Sequence, residues 1–204
     1  MNDEKEIDLE RISLRKDPSI PIVVVREHLI RYVFALDSVV NKDVLDIACA
    51  SGYGMYLMSY WAKSVSGYDY NQEAIDEASK FNYKCEVCLE VKNLDKIKTL
   101  ANDKIQKFDV VTCFETLEHL VDPKRLVGLI KEVLNANAVV YFSTPNKLDS
   151  IDGNVWHKTA FNVKVMQDVL TRHFSSKNIQ IWGMNQWGIS DDLEKPYLIV
   201  KAKV

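Results

Sequence analysis

The chain has 204 residues, 47% of them hydrophobic and 27% charged, with a formal net charge of −3. That is the make-up of an ordinary globular domain long enough to bury a sizeable core, which excludes a disordered or fibrous chain, and its weakly acidic balance leaves no general nucleic-acid footprint. No run approaches the roughly 18 apolar residues of a membrane span, and the charged start Met1–Glu6 is unlike a signal peptide, so a cytoplasmic protein is expected.

In chain order, Pro21 opens a helix over 22–36. A strand over 43–48 leads into a turn of small residues and a helix over 53–62. A second strand, 64–69, precedes a helix over 71–80 that Asn71 caps. A third strand runs over 84–91. Its Cys85-x-x-Cys88 lacks a second pair to close a zinc site, and four cysteines are too few for a disulfide framework. A short helix is expected over 95–102, then a fourth strand over 108–113 and a helical turn over 115–119. Pro123 opens a helix reaching about Leu134, and Asn135–Asn137 turn the chain into a fifth strand over 138–143. After an irregular stretch, 144–160, come a helix over 162–173 and strands over 178–182 and 197–202. No helix separates those last two strands, so they form an antiparallel hairpin. The expectation is an α/β, Rossmann-like protein: a seven-stranded, mostly parallel sheet with an antiparallel C-terminal hairpin and helices on both faces. It reads as one domain over 1–204, with a helical cap at 1–40 and the core at 41–204.

The chemistry concentrates at Val44–Gly54. An apolar strand ending near Asp46 runs into Ala48, Ala50, Ser51, Gly52 and Gly54, a turn poor in side chains where backbone approaches a ligand closely. A second acid, Asp69, closes the next strand 23 residues on, the spacing at which a carboxylate grips ribose hydroxyls. This pairing points to a nucleoside cofactor. No Gly-x-Gly-x-x-Gly occurs, which counts against a nicotinamide dehydrogenase.

This arrangement resembles the class I S-adenosylmethionine-dependent methyltransferases over nearly the whole chain. Val44–Gly54 looks like that family's first motif and Gly67–Asp69 like its second. Asn93 and Leu94 fall where the adenine is held, and Phe108–Leu120 resembles the fourth-strand motif. The resemblance implies S-adenosylmethionine as cofactor, bound by Arg31, Tyr32, Asp46, Ala48, Gly52, Asp69, Tyr70, Asn93, Leu94 and Phe114. Arg31 and Tyr32 would either pack on the sheet edge or reach the cofactor carboxylate, where an arginine fork fits. The family usually has glycine at the positions of Ala48 and Ala50. A Cβ at 50 crowds the cofactor, and a positive φ there is costly. A narrower likeness, carried by Glu27–Tyr32, Ser143–Asn146 and His157, is to methyltransferases of O-antigen and other surface-polysaccharide pathways. It implies a sugar hydroxyl or a phosphate of a glycan, or a similar small molecule, as acceptor.

Methyl transfer to a hydroxyl needs a base or a metal that lowers the hydroxyl pKa. Glu115, Glu118 and His119 are spaced i, i+3 and i+4, on one face if the turn is helical. With His157 they form a two-Glu, two-His set suited to Mg²⁺ or Mn²⁺. His119 and His157 are the candidate catalytic residues. The Glu-x-x-Glu-His string also resembles the metal site of small-RNA 3′-terminal 2′-O-methyltransferases and a stretch of ubiquinone-pathway O-methyltransferases. Two alternatives therefore stand beside the glycan enzyme: a metal-dependent RNA methyltransferase, which the acidic balance disfavours, and a catalytically weak cofactor-binding partner protein.

Overall fold

The computed structural model describes residues 20–102, 107–146 and 155–204. Helix α1 (Ile22–Val39) comes first, then β1 (Asp43–Ile47), α2 (Tyr53–Met58), β2 (Ser64–Asp69), α3 (Gln72–Ala78) and β3 (Glu86–Val91). They are followed by β4 (Phe108–Phe114), α4 (Pro123–Glu132), β5 (Leu134–Pro145), α5 (Val163–Leu170), β6 (Ile179–Asn185), β7 (Gly188–Ser190) and β8 (Tyr197–Lys203). The strands form one sheet in the order β3-β2-β1-β4-β5-β8-β6-β7. β1 to β5 are parallel, while β8 runs antiparallel to both β5 and β6.

The inner strands are apolar because both faces are covered. Val44, Leu45 and Ile47 of β1 and Val111 and Cys113 of β4 have no exposed surface. One face packs against α1 and α2 through Tyr32, Ala35, Val39, Met55 and Met58. The other packs against α4 and α5 through Leu126, Val127, Ile130, Met166, Val169 and Leu170. Strand order reverses between β1 and β4, and the crevice beyond the strand ends at such a reversal is where this architecture binds ligands.

Among the described residues the sheet has eight strands rather than seven. The addition is β7, three residues paired to β6 through a turn at Asn185–Gly188 and too short to leave a pattern in the sequence. The expected helix over 95–102 is a single turn instead. Arg125 takes the carbonyls of Leu94 and Ile97, and Tyr68 takes that of Leu100, so they are lost to a helical ladder. The expected turn at Asn135–Asn137 is a bulge inside β5, tied down by Asn135 Nδ2 donating to Asp109 at 2.7 Å. Helix α2 stops at Met58, where the Ser59 hydroxyl claims the Tyr56 carbonyl at 2.8 Å. Asn71 does cap α3, accepting from the amides of Glu73 and Ala74, and Asp122 caps α4 ahead of Pro123. Among the described residues no helix is long and apolar enough to cross a membrane. Residues 1–19 of the expected cap and 147–154 of the irregular stretch lie outside the described residues.

Candidate functional site

The turn after β1 is built from left-handed residues at alternate positions: Ala48 (φ 57°), Ala50 (φ 47°) and Gly52 (φ 81°). Only glycine fits at 52, since a Cβ there would lie 2.6 Å from both Ala78 Cβ and the Tyr83 hydroxyl. The two alanines carry about 1–2 kcal/mol of strain each. Part of what holds them is Asp69, whose carboxylate accepts from the Ala50 amide at 3.0 Å and the Asn71 amide at 2.9 Å. A carboxylate has about four lone-pair sites, so Asp69 keeps acceptor capacity for a ligand. Tyr70 beside it is exposed. Asn93, also exposed, closes its own turn by accepting from the Asp95 amide at 3.1 Å, while Leu94 is buried.

Helix α1 closes over this turn. The Tyr32 ring lies so close to Gly54 that a Cβ there would meet it at 2.1 Å. It packs edge-on to Tyr53 and Phe114, and its hydroxyl donates to Asp46 at 3.2 Å. Asp46 is fully buried and accepts from Thr112 Oγ1 at 2.7 Å. Burial lifts its carboxyl to about 7; the bonds from Thr112 and Tyr32 oppose the rise and the Asp69 charge adds to it. Next to Tyr32 on α1, Arg31 is 2% exposed. Its Nη1 donates to the Glu27 carbonyl at 2.9 Å, its Nη2 pairs with Glu115 Oε2 at 3.2 Å, and the guanidinium lies 4.8 Å from the Tyr197 ring centroid. Its Nε–H has no partner. Tyr197 donates to Glu27 Oε2 at 3.3 Å, and burial pushes its hydroxyl up to about 12. His28 shares a 2.8 Å hydrogen bond with the Tyr53 hydroxyl, and burial, with Arg31 nearby, lowers its imidazole to about 3, so it is neutral.

The segment after β4 departs from the expected helical face. Glu115 sits at φ 45° and only Leu117–His119 form a 3₁₀ turn. Glu115 therefore turns to Arg31 and to Ser143 Oγ, which donates to it at 2.7 Å, while Glu118 and His119 turn towards His157. The Glu118 carbonyl accepts from the Lys158 amide at 2.7 Å and the Thr159 amide at 3.2 Å, docking the later loop by its backbone. His119 Nδ1 lies 3.2 Å from the Trp156 carbonyl, and the His119 and His157 rings are 4.8 Å apart. Ligand atoms of Glu118, His119 and His157 all lie within 4.8 Å of one another; Glu115 is outside that group. The Glu118 side chain pairs with neither Lys124, which bridges to Asp168, nor Arg125. It is 2% exposed, and neither carboxylate oxygen makes a hydrogen bond of normal geometry. Burial first, then the charge of Glu115, raises its carboxyl well above the usual range.

The sequence reading missed Thr112, Ser143, Tyr53 and Tyr197. Thr112 carried a signal, a polar residue inside the apolar run Val110–Cys113. Tyr197 carried none, because its position depends on β8 inserting beside β5.

Residues 24–184 match a family model described as a methyltransferase domain. A similar curated protein, the ubiquinone biosynthesis O-methyltransferase of Idiomarina loihiensis, is 31% identical over 119 residues, 54% of this chain and 45% of that protein. The chain spans about half the length of the curated relatives it matches. Among solved structures, an S-adenosylmethionine-dependent methyltransferase from Mesorhizobium loti has a TM-score of 0.66 at 16% identity, covering 85% of this chain and 95% of that one. The plantazolicin methyltransferase in complex with SAH has a TM-score of 0.64 at 14% identity, covering 92% and 91%. At such identities the two structures speak to fold alone.

Proposed function

The chain belongs to a methyltransferase domain family, and on that premise we propose that it uses S-adenosylmethionine to methylate a hydroxyl oxygen of a small-molecule or glycan acceptor beside a divalent cation held by Glu118, His119 and His157. The observation that carries this reading is the buried Glu118 carboxylate, whose oxygens make no hydrogen bond of normal geometry and which is grouped with two imidazoles. A buried carboxylate is costly without a counter-charge, and one oxygen with two imidazole nitrogens is a donor set that suits Mg²⁺, Mn²⁺ or a similar ion. The cofactor fits the remaining groups. Arg31 offers an unpartnered buried N–H to a carboxylate. Asp69 has lone pairs left for ribose hydroxyls, and the turn at Ala48–Gly52 presents backbone rather than bulk.

The bound cofactor supplies an electrophilic methyl on sulfur, and the cation lowers the pKa of the acceptor hydroxyl. The chain's residues do the positioning. Asp69 orients the ribose, and Tyr32 and Phe114 pack at the base of the cleft. His119 Nδ1, facing the Trp156 carbonyl, must carry the proton, which puts the lone pair on Nε2 for the cation or for the acceptor proton. Holding acceptor oxygen and methyl group in line supplies much of the rate. An oxygen acceptor is supported by relatives named as O-methyltransferases. The glycan version is supported by the motif likeness at Glu27–Tyr32, Ser143–Asn146 and His157, and by the exposed side chain of Trp156, a residue whose carbonyl faces His119.

The test is methyl transfer to panels of sugar and aromatic hydroxyl acceptors, with and without chelator. Loss of transfer on chelation and recovery with Mn²⁺ or Mg²⁺ is the expected result. Undiminished transfer under chelation refutes the cation, and transfer confined to aromatic hydroxyls refutes the glycan.

A further inference from the structure

Among the described residues, five buried side-chain atoms make no hydrogen bond, and four of them are oxygens of Glu118, Thr144 and Asn146. The function proposed above uses Glu118 but not Asn146. Asn146 follows β5, and its amide extends the pairing with β8 by donating to the Pro196 carbonyl at 2.7 Å. Side chains alternate along a strand, so Asn146 shares a face with Val140, Phe142 and Thr144, the face packed against α4 and α5. The Leu117–His119 turn lies against the same strand. Asn146 therefore stands at the end of the sheet where ligands bind, beyond Thr144 and on the same face. Its carboxamide is fixed. Nδ2 donates both protons to the segment before β8, to the Leu193 carbonyl at 2.7 Å and the Lys195 carbonyl at 2.9 Å. A flipped amide would set its oxygen against two carbonyl oxygens. β4 and β8 flank β5, so with the nitrogen turned to the β8 side the oxygen is turned to the β4 side, that of Glu118. It makes no hydrogen bond, in a residue only 8% exposed. A buried carbonyl oxygen left unpaired is costly, and what satisfies it is an O–H or N–H donor.

Resting on the hydroxyl-acceptor reading above, though not on its cation, we propose that Asn146 is a specificity-determining residue: its carboxamide oxygen accepts a hydrogen bond from a second hydroxyl of the acceptor while the first meets the methyl donor. The class of acceptor so selected is a polyhydroxylated molecule. An acceptor with one hydroxyl is disfavoured because it strands the buried oxygen, and discrimination against a missing hydroxyl is steeper than discrimination by shape. The two bonds from Nδ2 place the oxygen before the acceptor arrives, so binding spends nothing on ordering it.

The experiment compares kcat/KM for methyl transfer to methyl hexosides and catechol with that for counterparts lacking one hydroxyl, the monodeoxy hexosides and phenol. It uses the wild-type protein, Asn146→Ala and Asn146→Ser, the serine keeping one donor for the 193–195 segment should alanine fail to fold. Both variants loosen that segment, so the readout is the ratio between an acceptor and its counterpart within one protein, which a merely structural role leaves unchanged. In the wild type, removing one hydroxyl other than the methylated one is expected to lower kcat/KM about ten-fold or more, the effect of stranding a buried acceptor. In the variants the same removal should cost less than about two-fold, the loss having already fallen on the intact acceptor. A wild type in which no such removal costs more than about two-fold overturns the proposal, and so does undiminished discrimination in the variants; either leaves the hydroxyl reading standing. Transfer to no hydroxyl acceptor at all sinks that reading and this proposal with it.

Discussion

Replacing Asp46 by asparagine should stabilise the ligand-free protein above neutral pH. Asp46 has no exposed surface, and burial lifts its carboxyl from 3.8 to about 7. The folded chain therefore keeps a proton there up to about pH 7, whereas the unfolded chain releases it near pH 4. Between those values the folded state binds more protons, so stability falls as pH rises and is lowest above pH 7. Three pK units at about 1.4 kcal/mol each set a ceiling of about 4 kcal/mol on the cost of holding the ionised group. Asparagine avoids that cost, and the opposing bonds from Thr112 and Tyr32 are already counted in the value of about 7. The gain is up to about 4 kcal/mol at pH 8 and near zero at pH 4, where the folded-state carboxyl is neutral too. Urea unfolding of both proteins at pH 4, 6 and 8 measures the difference. Other shifted groups cancel in that difference, including Glu118 (raised) and His28 (lowered). Parallel stability curves would refute the reasoning, because they would mean that Asp46 does not titrate between folded and unfolded states as its burial requires.

Asp69→Ala should weaken S-adenosylhomocysteine binding by about 1.5–3 kcal/mol, through loss of charge-assisted hydrogen bonds; calorimetry decides, with thermal melting to report the lost anchors on Ala50 and Asn71. Unchanged affinity would remove Asp69 from the site. Ala50→Gly relieves left-handed strain of about 1–2 kcal/mol against about 0.5–1 kcal/mol of added glycine entropy, so stability should hold or rise by up to about 1.5 kcal/mol. A drop of more than about 0.5 kcal/mol in urea unfolding contradicts the strain argument. His119→Ala and His157→Ala should each lower methyl transfer while leaving nucleoside affinity in the absence of metal within about 0.5 kcal/mol, the usual range for changes remote from a ligand. A loss of nucleoside affinity comparable to the loss of transfer would place them in the cofactor cradle instead.

The parallel half of the fold was legible because its strands are short apolar runs bounded by small residues, and because Asn71 and Pro123 mark helix starts by local chemistry. The C-terminal part was less so. β7 has three residues, and the bulge in β5 looks like a turn because Asn135–Asn137 are turn formers when nothing beside them competes. The stretch after Asn93 had helical spacing but lost its carbonyls to Arg125 and Tyr68, partners remote in sequence. At the site, the meeting of His119 with His157 was legible as a pattern of residue types, although it is achieved by backbone bonds that no spacing rule describes. The placement of Glu115 was not legible. A non-glycine residue at φ 45° gives no warning in the sequence, and that one dihedral separates Glu115 from Glu118 and sends it to Arg31.

The segment carrying His157 is fastened to Glu118 by peptide groups: two amides to one carbonyl. Such a clasp is indifferent to which side chains flank it. Side chains at 156 and 158, other than proline at 158, can be exchanged without undoing the latch that brings His157 to His119. On the proposed reading, acceptor preference can drift or be redesigned at those two positions while His157 keeps its place.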